Sequence, residues 1–215
     1  NSGSLLPLDG KKHLRVLLTG PGADDLYGQL GDYTPPVRPG GGITVRQGLE
    51  RWIQTHESPV ELSCRSGCLR FGQSSAHLAE AAWAAGEADV VLAVLGGTSS
   101  RFGGGAFQSN GALADQEEIT MDCGENVDAG LLRLPGTQLE LLRRLKAAGK
   151  PVVTVLIGGR PYEMAEADSL SDAILCAFYP GLTGGKALAK LLFGELSPAG
   201  RLPVSLPDHA GQLPV

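Results

Sequence analysis

Cysteine is scarce in this 215-residue chain, and the four present, Cys64, Cys68, Cys123 and Cys176, are too few for a disulfide scaffold of this size. Cys64-x3-Cys68 has the spacing of a metal clip, but no second Cys or His pair completes it, so the sequence implies no metal and no cofactor. Basic runs are missing as well. With a formal net charge of −5 and scattered Lys and Arg, the chain has no electrostatic footprint for nucleic acid. No apolar stretch approaches the roughly 20 residues that span a bilayer, and "NSGSLLPLDGKKHLRV" lacks a signal peptide's basic-then-apolar order, so no membrane partner is expected. There is no G-x-S-x-G elbow, and the four histidines lie in unrelated contexts, which leaves a Ser/His/Asp nucleophile without support.

What remains is an ordinary globular composition, 42 % hydrophobic and 19 % charged, compatible with one large core. Four aliphatic runs ending near glycine or proline, 13–20, 89–97, 151–159 and 172–181, read as strands of a sheet covered on both faces. A weaker strand spans 59–64, and "GRLPVSLP" (200–207) reads as an edge strand on account of its prolines. Helical patterns fall between them. Val45, Leu49, Trp52 and Ile53 form one stripe, and Leu139, Leu142 and Leu145 another, the latter entered at Pro135 and left at Gly149. Segments 75–86 and 184–194 complete the set. Alternating strands and helices predict an α/β fold: a three-layer α/β/α sandwich with a mostly parallel sheet of five to six strands, residues 1–215 forming a single domain.

In such a sheet, ligands bind beyond the carboxyl ends of the strands. That directs attention to "TGPGADDLYGQLGDYTPP", to 97–134, to "GGRPYE" and to "YPGLTGG". "TGPGADD" has Gly20 and Gly22 after a strand, but Asp25 stands at the third glycine position and a loop follows, which does not fit a dinucleotide fingerprint. The segment 97–134, with thirty-eight residues, exceeds usual connections several-fold and carries Glu117, Glu118, Asp122, Glu125 and Asp128. These read either as a solvated acidic loop or as carboxyls for glycoside hydrolysis, in which one acid protonates the leaving oxygen and another serves as nucleophile or base. Asp128, three residues beyond Glu125, is placed to tune its proton affinity.

The blocks "LLPLDGKKHLRVLLTGPGADD", "LGDYTPP", "SGC", "ADVVLAVLGG", "CGENVDAGLLRLPGTQLELLRRLKAAGKPVVTVLIGGRP", "DAILCAFYPGLTGGKALAKLLFGELSPAGRLPVSLP" and "HAGQLPV" occur in one order over nearly the whole chain. Together they resemble the second, α/β sandwich domain of glycoside hydrolase family 3, which contains β-glucosidases, β-xylosidases and related exo-acting enzymes. The resemblance implies a domain excised from a larger retaining hydrolase. A preceding (β/α)8-like barrel domain of the same parent chain carries the aspartate nucleophile and most sugar contacts, and this domain lends the general acid/base. Its substrate is a β-linked oligosaccharide or glycoside, and the piece alone is inactive. The family's G-E-G-x-D-R segment corresponds to Gly124–Ala129, which makes Glu125 the acid/base, with Glu117 and Glu118 as alternatives because the loop varies in length. Asn126 and Ala129 depart from the usual glycine and arginine. Asp128 and Asp32 are implied substrate-side residues, Asp32 reading equally as a turn cap. Arg160 matches a block that closes a strand end. A non-catalytic binding or scaffold domain packing on the barrel is the other reading.

Overall fold

The computed structural model describes residues 1–100, 121–125 and 127–213. Among them run five strands, β1 (Leu14–Thr19), β2 (Val60–Arg65), β3 (Val90–Leu95), β4 (Val152–Ile157) and β5 (Ala173–Phe178), in one all-parallel sheet of order β2-β1-β3-β4-β5. The register aligns Cys64, Leu18, Leu92, Val153 and Ala173 in one row across all five. The central strands β3 and β4 are buried at every residue, as their unbroken aliphatic sequences require.

Alternate residues feed two cores, because successive side chains of a strand point to opposite faces. Leu17, Val91, Ala93, Leu95, Val152 and Leu156 pack under α2 (Leu78–Glu87) and α3 (Gln138–Ala147). Val16, Leu18, Val90, Leu92, Val94, Val153 and Val155 pack under α1 (Val45–Thr55) and α5 (Gly184–Leu192). The expected three layers result.

α1 begins where Thr44 caps it. Thr44 Oγ1 accepts from Gln47 N at 3.2 Å and Gln47 Oε1 accepts from Thr44 N at 3.2 Å, a capping box. α1 and α5 approach so closely that a Cβ on Gly48 would lie 2.0 Å from the Gly185 carbonyl oxygen, so glycine is required at that crossing.

Two expectations fail in detail. Residues 200–207 are not a strand. Leu202 and Val204 are about half exposed, and Pro203 and Pro207 offer no N–H to a ladder. A fourth helix, α4 (Ala165–Ser169), is absent from the sequence reading because five residues are too few to display a period.

Candidate functional site

Each crossover leaves its loop at the carboxyl end of the sheet, and these loops meet in two clusters. The strand order reverses between β1 and β3, where an open α/β sheet leaves its crevice. Here the crevice is filled. Arg70, whose side chain is 10 % exposed, donates to the carbonyls of Pro21 (3.1 Å), Gly96 (3.3 Å) and Gly97 (2.9 Å) and forms an ion pair with Asp25 at 2.8 Å. The fully buried Gln138 accepts from Gly96 N at 2.7 Å and donates to Gly96 O at 2.9 Å and Arg70 O at 3.1 Å.

The glycines of "TGPG" serve this packing. Gly22 N donates to Val94 O at 3.1 Å, and Gly20, at φ +99°, lies where a Cβ would meet Val94 O at 2.4 Å. They bring the β1 loop onto β3, and an open cavity of about 460 Å3 lined by Gly20, Pro21, Asp24, Asp25, Arg46 and Arg70 among others lies beside this packing.

The second cluster surrounds residues 121–125 and Val127. Asp122 is its foundation. Its Oδ1 accepts from Thr98 N at 2.8 Å and its Oδ2 from the Tyr162 hydroxyl at 2.6 Å, while that hydroxyl accepts from Gly97 N at 2.7 Å. Asp122 N donates to Thr98 O at 3.1 Å. Burial, reinforced by the Asp122 carboxylate, pushes the Tyr162 hydroxyl well above the usual phenol range, so it stays protonated as a permanent donor. Gly97 is obligatory here, since a Cβ would fall 2.0 Å from the Asp122 carboxylate atoms.

Beside it, Cys123 Sγ and the Tyr179 hydroxyl, from the end of β5, form a hydrogen-bonded pair at 2.9 Å. Burial raises both groups above their ordinary values, so Cys123 is a packed thiol and not a thiolate nucleophile. From the loop after β4, Arg160 Nε donates to Asp122 O at 2.8 Å and its Nη2 to Val127 O at 2.7 Å.

Glu125 stands on this support with its side chain exposed. Its backbone N–H donates to Asp32 Oδ2 at 3.2 Å, and the Tyr33 hydroxyl donates to its Oε2. Asp32 thus performs the turn role as well as touching the candidate acid segment: its Oδ1 accepts from Tyr33 N at 2.9 Å. Tyr33 is 71 % exposed and has φ +60°, a backbone region uncommon for a non-glycine residue. Asp128 is exposed and makes no hydrogen bond or ion pair among the described residues. Glu117 and Glu118 lie outside the described residues.

The structure places Asp32 and Glu125, two residues that the sequence reading singled out, in contact although they stand 93 residues apart. It misses Tyr33, Tyr162 and Tyr179 and the bridging role of Arg160. Their only signal was position, since each lies in a loop at the carboxyl end of a strand. The cluster can present a carboxyl group to solvent in a held orientation, with two other carboxylates engaged behind it.

A separate cavity of about 470 Å3 lies between α1 and α5, lined by Trp52, His56, Lys186 and Glu195 among others. It belongs to the outer helix layer. Trp52 there is stacked between Phe193 (centroids 3.8 Å apart) and His56 (4.3 Å), so both ring faces are covered.

With this geometry established, comparison with known proteins is informative. The family model described as "Glycosyl hydrolase family 3 C-terminal domain" matches residues 1–215. A periplasmic β-glucosidase of Salmonella typhimurium is 35 % identical over 176 residues, which cover 82 % of this chain and 19 % of that protein. A β-xylosidase of Formosa agariphila is 31 % identical over 223 residues, covering 100 % of this chain and 27 % of that one. A crystal structure of β-glucosidase from Listeria innocua in complex with isofagomine superposes with a TM-score of 0.79 at 29 % identity, covering the whole of this chain and 26 % of the other. The chain thus spans about a fifth to a quarter of the length of these relatives. A match over every residue, agreement of the three-layer fold and relatives above 30 % identity lead to one conclusion: the chain belongs to glycosyl hydrolase family 3, as its C-terminal domain.

Proposed function

We propose that this domain is half of the active site of a retaining, exo-acting β-glycosidase that removes terminal non-reducing β-linked sugars, and that Glu125 is its general acid/base. The observation that carries the reading is the presentation of Glu125: an exposed carboxyl at the carboxyl end of a parallel sheet, oriented by the Tyr33 hydroxyl and tied through its backbone to Asp32.

Two-carboxyl hydrolysis needs a second group, about 5 to 5.5 Å from the first in a retaining enzyme. Asp122 is unsuited, because both of its oxygens accept hydrogen bonds from Thr98 N and Tyr162. Asp32 is committed to backbone N–H groups. This supports a nucleophile that comes from elsewhere in a longer chain, an aspartate of a barrel domain, and accords with relatives roughly four to five times longer.

In the first step, the aspartate forms a bond to the anomeric carbon while the bond to the leaving oxygen breaks, and Glu125 transfers its proton to that oxygen. In the second, the Glu125 carboxylate takes a proton from the water that attacks the anomeric carbon, the aspartate leaves, and the sugar is released with its original configuration. Asp32 and Asp128 are the substrate-binding residues of this reading, and Glu117 and Glu118 its alternative acids.

In the full-length enzyme, Glu125→Ala should lower kcat/KM by about 10²- to 10⁴-fold on glycosides with poor leaving groups and much less on activated ones. Equal activity of variant and wild type would remove Glu125 from the mechanism, and the same measurement on Glu117→Ala and Glu118→Ala would identify its replacement. The purified domain alone should hydrolyse neither an aryl β-glucoside nor an aryl β-xyloside. If it turned either over, its catalytic groups would be complete without a partner.

A further inference from the structure

Taking Glu125 as the acid/base of the proposed function, we propose that Arg160 is a positioning residue that sets the reach and orientation of Glu125 by holding both feet of the segment that carries it.

Among the described residues no helix or strand fixes the shape of this segment, which is held by hydrogen bonds to its neighbours. Residues 121–125 and 127–130 form no helix or strand, Gly124 and Glu125 are exposed, and Gly124 adopts φ +127°, a glycine conformation. Val127 N donates to Gly124 O at 3.2 Å and closes a short turn around Glu125. Across the base of that turn lies the Arg160 guanidinium. Its Nε donates to Asp122 O, three residues before Glu125, and its Nη2 to Val127 O, two residues after. The two distances, 2.8 and 2.7 Å, are those of strong charge-assisted bonds.

Nε and Nη2 belong to one planar group, so the spacing of the two carbonyls is set by a rigid fork. A lysine ammonium cannot reproduce that fork from a single atom. Arg160 is itself anchored. It follows Gly158 and Gly159 directly after the fully buried β4, Gly158 N donates to Phe178 O at 3.1 Å, and Tyr162, two residues on, is held by Gly97 and Asp122. The clamp therefore transmits the position of the central sheet to the turn that carries Glu125. Its two bonds go to main-chain oxygens on either side of Glu125, whose carboxyl accepts from the Tyr33 hydroxyl.

A general acid must lie within hydrogen-bond reach of the leaving oxygen, and a misplacement of about 1 Å costs on the order of a hundredfold in rate. Loss of the clamp should consequently impair proton donation more than sugar binding or nucleophilic attack.

The test uses the full-length enzyme and the variants Arg160→Met, Arg160→Lys, Glu125→Ala and Glu125→Ala/Arg160→Met, each first checked by its melting temperature. kcat/KM is measured on a dinitrophenyl glycoside and on an aryl glycoside with a poor leaving group. Arg160→Met should lose about tenfold to a hundredfold on the poor leaving group and less than about threefold on the activated one, with Arg160→Lys impaired in the same sense. The double variant should be no slower than Glu125→Ala on the poor leaving group, because both changes remove one function.

A uniform loss on both substrates, or losses that multiply in the double variant, would overturn the clamp while leaving Glu125 in place. A Glu125→Ala variant with undiminished activity on the poor leaving group would overturn the proposed function and the clamp together. If Arg160→Met does not fold, Arg160→Lys carries the same comparison.

Discussion

At the carboxyl end of one sheet, two arginines do opposite things. Arg70 enters the crevice where the strand order reverses, satisfies three backbone carbonyls and an aspartate, and closes the place where such folds commonly hold a ligand. Arg160 donates to the carbonyls of Asp122 and Val127, on either side of Glu125, and makes its bonds to main chain and not to the Glu125 carboxyl. The same chemistry, a guanidinium donating to main-chain oxygens, seals one region and presents a side chain from the other. If Glu125 acts as proposed, the position where the strand order reverses is a poor guide to the working surface of this domain.

The comparison can be broken first at its sealed side. Arg70→Met removes the guanidinium from the Asp25 carboxylate and from the carbonyls of Pro21, Gly96 and Gly97, leaving Gly96 O its bond from Gln138 and Asp25 its bond from Gly28 N. Since the arginine is buried but Asp25 is 39 % exposed, we expect a loss of about 3 kcal/mol in denaturant unfolding. The leaving-group dependence of the full-length enzyme should not change. A shift in that dependence would show that the two regions are coupled.

Gly97→Ala strikes the boundary between them, driving a Cβ into the Asp122 carboxylate. It should cost about 1 to 3 kcal/mol and also slow substrates with poor leaving groups, because Asp122 is one foot of the segment. Stability lost with no change in substrate profile would detach Asp122 from the positioning of Glu125. The smallest effect belongs to Tyr33→Phe, which removes the hydroxyl on Glu125 at an exposed site. Stability should stay within about 0.5 kcal/mol, and kcat/KM on poor leaving groups should fall by less than about tenfold.

The two regions were also unequally legible in the sequence. The sheet was readable because burial on both faces leaves continuous aliphatic runs, and Val90–Leu95 and Val152–Ile157 carry that imprint within themselves. Even the weaker strand Val60–Arg65 could be placed. Residues 200–207 misled because proline tolerance marks an edge strand and an extended surface segment alike.

In the candidate site, Glu125 and Asp32 were reached through the motifs that surround them. Their neighbours were not, because the contacts are tertiary: Tyr33 reaches Glu125 across 92 residues, Tyr179 reaches Cys123 across 56, and Arg160 reaches Asp122 across 38. No local period or spacing encodes a guanidinium that bonds to distant main-chain carbonyls. Arg70 drew no notice in the sequence for the same reason, although it ties the β1 loop to the end of β3.

The central claim is that Glu125 donates the proton to the leaving group and later activates water. Its most direct test is rescue of Glu125→Ala in the full-length enzyme by azide, with an activated aryl β-glycoside as substrate and the products identified. A small anion needs no general base, so turnover should rise severalfold with azide, and the product should be the β-glycosyl azide. A variant whose rate is insensitive to azide, and which hydrolyses poor-leaving-group substrates as fast as the wild type, would contradict the assignment.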